Sequence, residues 1–125
     1  MAFVLEQSPT FSHPITIREV LDGGKIRTHQ FTAIFNRLTQ TRMEEVQLQY
    51  QAIQVAARRG EAIDGIPTRE IANEILAGWE GITTADGEPV EMTAAAKAQL
   101  LDRAAVADAL VVTFFDAHEK ARAKN

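Results

Sequence analysis

The segment Pro14–Tyr50, "PITIREVLDGGKIRTHQFTAIFNRLTQTRMEEVQLQY", changes its hydrophobic period part-way through, and that change sets the fold class. Ile15 and Ile17 alternate with Thr16 and Arg18, the two-residue period of a half-buried strand. Asp22, Gly23 and Gly24 then supply residues that tolerate positive φ, as a tight reversal requires. Beyond them β-branched and aromatic residues resume, with Phe31, Ala33 and Phe35 on one face. A β-hairpin over 14–36 follows from this pattern. Because an isolated hairpin is marginal in water, it must lie on what comes next. There the period becomes helical: Met43, Val46, Tyr50, Ile53 and Ala57 recur at spacings of three and four. Thr41 with Glu44 has the form of a capping box, and Gly60 after Arg58 and Arg59 suits a helix stop.

Downstream, "EAIDGIP" (Glu61–Pro67) reads as a connector and Thr68 as the cap of a helix running through "REIANEILAGW", with Ile71 and Ile75 facing inward. The stretch "GWEGITTADGEPVEMT" (Gly78–Thr93) is a loop of structural residues. Asp86 and Gly87 reverse the chain, Gly81 punctuates it, Pro89 stiffens it, and Trp79 is expected to pack the loop onto the helices. Thr93 caps "AAAKAQLLD", and the residues after Asp102 either continue that helix or begin a second one. The expected architecture is α+β: an N-terminal β-hairpin packed on a bundle of about four α-helices. One domain is expected, with an extended arm at 1–13, the hairpin at 14–36 and the helical part at 40–122.

The 125 residues are 46% hydrophobic and 24% charged, a balance that favours a folded globular chain over a disordered one. A formal charge of −4 lacks the cationic excess that neutralises phosphates, so nucleic acid is not an expected partner. The absence of cysteine excludes disulfides, thiolate metal sites and thiol nucleophiles, and suits a cytoplasmic setting. "MAFVLEQSPTF" does not resemble a signal peptide, and no segment has the roughly 20 apolar residues of a membrane span.

Catalytic chemistry finds little to stand on. His13, His29 and His118 are dispersed, without the clustered spacing of metal ligands. Asp86, Glu88 and Glu91 are better read as the solvated outside of a turn, and Glu44 as part of a helix cap. "DGG" is not followed by the Gly-Lys-Ser/Thr of a phosphate loop. Neither catalytic residues, nor a metal, nor a cofactor are expected. Phe114 and Phe115 raise a different question, because neighbours on a helix point about 100° apart. Either a wide apolar face with Leu110 and Val111 buries both, or one is left for a partner. Val111, Phe114, Phe115 and His118 are therefore the candidate partner-binding residues.

The order of parts is familiar. A strand hairpin leading through "FTAIFNRLTQTRMEE", then "GWEGITTADGEPVEMT", then "LLDRAAVADALVVTFFDAHEKARA", resembles the tail assembly chaperones of long-tailed bacteriophages and prophages. The resemblance covers Ile15–Arg122 and is most specific at Trp-x-Gly followed by the D-G-E-P turn. It departs at Met92, where an aromatic is common, and at "DRAAV", where a proline is common. It implies a non-enzymatic protein of the host bacterial cytoplasm, absent from the finished virion. Its partners would be the tape measure protein, tail tube subunits, further copies of itself and a longer form made by ribosomal frameshifting near "AKN". A small structural virion protein, of the tail or of head completion, is the alternative. The resemblance supplies no binding residue, so the four candidates rest on helical geometry alone.

Overall fold

A computed structural model describes residues 3–61 and 65–123. Strands β1 (Thr10–Val20) and β2 (Ile26–Asn36) pair antiparallel without interruption, from Thr10 opposite Asn36 to Val20 opposite Ile26. Opposed residues share a face, so Ile15 and Ile17 join Ala33 and Phe35 in the core while Thr16 and Arg18 face solvent. The reversal is a single helical turn at Asp22–Gly24, where Gly23 and Gly24 have φ of 74° and 78°. Leu21 N–H closes it on Lys25 O at 2.7 Å.

β1 begins at Thr10, earlier than the expected hairpin boundary at 14, so of the anticipated arm only residues 3–9 are described outside a regular element. Phe11 accounts for the difference: its ring lies 5.5 Å from that of Phe35, and the Arg37 guanidinium sits 5.1 Å above it. Pro14 is accommodated because β1 is an edge strand.

The hairpin is also extended on its other side. Helix α2 (Ile66–Ile75) stops before "LAGWE", and Leu76–Glu80 forms strand β3, antiparallel to β2, with a bulge between Ile34 and Phe35. The periodic reading carried the helix through Trp79; Gly78 weakens that continuation, and the open edge of β2 offers the backbone a full set of partners instead. Among the described residues the sheet is thus three-stranded, in the order β1-β2-β3, and with four α-helices the fold is α+β.

Helix α1 (Gln40–Arg58) is capped by Thr39, whose Oγ1 accepts the Arg42 N–H, and not by Thr41. Starting earlier lets Glu44 accept a hydrogen bond from Gln40. Gly60, at φ 71°, ends the helix, with its N–H on Ala57 O and Glu61 N–H on Ala56 O. In α2, Pro67 occupies the first turn, where its missing N–H costs nothing, so Thr68 lies inside the helix and the cap position falls to Gly65. The connector expected at Glu61–Pro67 lies partly outside the described residues, as does the end of "AKN". Thr93 caps α3 (Ala94–Asp102) by accepting the Ala96 N–H at 3.1 Å. The chain then breaks at Ala105, whose φ is 70°, before α4 (Val106–Ala123). Two helices, not one, occupy this region. Asp102 is the last residue of the first, and its carboxylate meets Arg69 of α2 at 3.2 Å.

The core lies where α2 and α4 cover one face of the sheet. Phe35, Phe114, Ile15, Ile75, Leu76 and Leu110 are its largest fully buried side chains. Trp79 is 9% exposed, and its indole N–H donates to Val90 O at 2.8 Å, tying β3 to the loop after it. Within that loop, Val90 N–H returns to Ile82 O and Gly87, at φ 85°, turns the chain.

Candidate functional site

All four partner-binding candidates sit on α4, and the structure divides them. Val111 and Phe114 are completely buried. The Phe114 ring packs edge-on against Phe35 at 5.4 Å and lies 6.0 Å from Phe11, which makes it the bridge between α4 and the sheet. Phe115, one residue on, turns toward α1 and lies 5.8 Å from Tyr50, partly open to solvent. His118 is also partly exposed. Its Nδ1–H donates to Phe114 O at 2.8 Å, since a carbonyl can only accept, and its ring lies 4.6 Å from Phe114. Of the four, only Phe115 and His118 reach the surface; Val111 and Phe114 belong to the core.

The accessible pair lies on two neighbouring clefts. One, of about 220 Å³, runs between α1 and α4 and is lined by Tyr50, Val112, Phe115 and the side chains of Gln47, Gln51 and Gln54. The other, of about 570 Å³, is lined by Leu38, Met43, Arg37 and His118, and Gln47 belongs to both. Val112, 38% exposed, adds an aliphatic surface beside Phe115. The result is a mixed surface: Val112, Phe115, Leu38 and Met43 are its apolar part, glutamine amides that can both donate and accept flank them, and Asp116, Glu44 and Arg37 add charge. Such a surface suits a polypeptide better than an ion or a phosphate. Val112 and the glutamines were not among the sequence candidates. The signal was present in the spacing of Gln47, Gln51 and Gln54 along one flank of the α1 stripe, beside Tyr50.

Polar contacts around this surface are structural. Tyr50 Oη donates to Asp108 Oδ1 at 2.7 Å, linking α1 to α4. Burial first, and then this contact, push the phenol well above its ordinary pKa, so it remains a neutral donor. On the far side of α1, Arg42 grips Glu74 of α2 with two bonds, 2.7 and 2.6 Å long, and its hydrogen bonding holds the Glu74 carboxyl below its usual range. Glu19 is held low in the same way by Arg103, with a smaller contribution from His29. Lys97 donates to Asn73 O at 2.7 Å, and desolvation lowers its pKa. In the 78–93 loop, Asp86, Glu88 and Glu91 are exposed, and Thr84 Oγ1 accepts the Glu88 N–H that shapes the turn. Among the described residues no group of three His, Asp or Glu side chains is arranged to hold a metal ion.

A family model described as "Phage tail assembly chaperone" matches residues 1–125, the full length of the sequence. The chain belongs to this family. No curated protein and no solved structure matches it. None of its described helices is long and apolar enough to cross a membrane.

Proposed function

We propose that this tail assembly chaperone binds the phage tape measure protein stoichiometrically, keeps it soluble and hands it to tail tube subunits that assemble around it. The whole-chain family match carries the reading. The strip at Val112, Phe115 and His118 supplies the surface: an exposed apolar helix of the client lies along the α1–α4 cleft and its backbone-flanking polar groups meet the glutamines. Binding of this kind needs no catalytic group, and the protein is not an enzyme in this reading. It acts in the host bacterial cytoplasm, self-associates, works alongside a frameshifted longer form of itself, and leaves before the virion is complete.

Light scattering on dilution of denatured tape measure protein into buffer tests the reading. Near-equimolar chaperone should suppress aggregation, and Phe115→Ala should weaken the effect while remaining folded. Unchanged scattering at a molar excess of the wild-type chain contradicts it. Mass spectrometry of purified particles separates the alternative, since a structural virion protein would be recovered there in stoichiometric amount.

A further inference from the structure

Helix α1 carries a second apolar stripe that the described residues leave largely exposed. Leu48, Ala52 and Val55 follow one another at spacings of four and three, about 180° around the helix from buried Val46 and Tyr50. Leu48 is 67% exposed and Val55 41%. The ends of the stripe carry opposite charges, Glu44 one turn before Leu48 and Arg59 one turn after Val55, both exposed. The row Glu44–Leu48–Ala52–Val55–Arg59 is consequently its own complement when reversed. Turned end to end about a point between Gln51 and Ala52, Leu48 meets Val55 and Glu44 meets Arg59.

The geometry points to this face as a two-fold antiparallel contact with α1 of a second copy of the chain. The charges select that occupant. A parallel pairing would set Glu44 against Glu44 and Arg59 against Arg59, whereas the antiparallel one joins opposite charges at both ends. The small Ala52 at the centre lets the helix axes approach to about 8 Å. Glu44 to Arg59 spans about 22 Å of helix at 1.5 Å per residue. One helix pair of that length buries less than the roughly 1,200 Å² of a stable interface, so the contact is reversible and concentration-dependent. The inference deepens the self-association in the proposed function and does not depend on the client; the contact leaves Phe115, Val112 and His118 uncovered and touches the two clefts only at Gln51 and Glu44.

Sedimentation equilibrium of the full chain over a concentration series is the test. The wild type should shift from monomer toward dimer. Leu48→Asp should remain monomeric with an unchanged thermal melt, as expected for an exposed position. Glu44→Arg and Arg59→Glu should each weaken dimerisation at least several-fold, and the double variant should restore it. Because the chain has no cysteine, Ala52→Cys adds a geometric check: mild oxidation should yield a disulfide-linked dimer from a residue beside the axis. A wild type that is monomeric throughout, self-association untouched by Leu48→Asp, or a double charge variant no better than either single overturns the proposal. So does a Leu48→Asp protein that still dimerises but no longer captures the tape measure protein, which would assign the face to the client.

Discussion

Helices α1 and α4 are of nearly equal length, 19 and 18 residues, and each carries an apolar stripe, yet the fold uses them in opposite ways. α4 lies in the centre, with Val106, Leu110, Val111 and Phe114 sunk between the sheet and α2. α1 lies at the margin, with Val46 and Tyr50 as its buried residues and Leu48 and Val55 turned to solvent. Ionic and polar links hold it: Arg42 to Glu74 on α2 and Tyr50 to Asp108 on α4. The richest apolar segment of a small protein is therefore its frame, while the more polar helix beside it leaves Leu48 and Val55 in solvent.

Truncating the central helix should have the largest effect. Phe114→Ala removes a fully buried ring from contact with Phe35 and should destabilise the protein by about 3–5 kcal/mol, measured by urea unfolding. A loss below about 1 kcal/mol would show that α4 is not the frame. On the marginal helix, Tyr50→Phe leaves the ring in place and deletes the hydroxyl with its bond to Asp108 and its contact with Gln54. About 1 kcal/mol should be lost, because Asp108 remains accessible to water.

Part of this division was legible in the residues and part was not. Two-residue alternation through Ile15–Ile17 and Ala33–Phe35 located the sheet face, and Gly23–Gly24 located its turn, because both signals are local. Thr93 was readable as a cap for the same reason. The third strand was not, since Leu76 and Ala77 are good helix formers and only the unpaired edge of β2, distant in sequence, draws them into the sheet. Nor was the separation of Phe114 from Phe115. Helical geometry established that they diverge, but which one points inward depends on where the sheet and α1 lie. The stripe at Leu48 was hidden behind the stronger periodicity of Val46 and Tyr50.

Acid should loosen the marginal helix in a defined direction. The Glu74 carboxyl is held below its ordinary 4.5 by Arg42, so its contribution is fully present above that pH and is lost as pH falls through the depressed folded value. Between pH 7 and pH 3 the wild type should lose more of its urea midpoint than Glu74→Gln, which has no carboxylate to protonate. Equal losses would place the acid sensitivity elsewhere. The smallest effect is expected at Leu48→Ala, within about 0.5 kcal/mol of wild type, since the side chain is mostly in water already. A larger loss, read at a concentration where the chain is monomeric, would mean that the outer face of α1 supports the fold itself.

Co-expression with the tape measure protein, scored as the fraction of that client in the soluble lysate and bound to the chaperone on purification, tests the functional reading most directly. Most of the client should be soluble and should co-purify with the wild-type chain, with Phe115→Ala recovering distinctly less. A client that stays as insoluble and unbound as when expressed alone would contradict the assignment of this surface, and with it the proposed role.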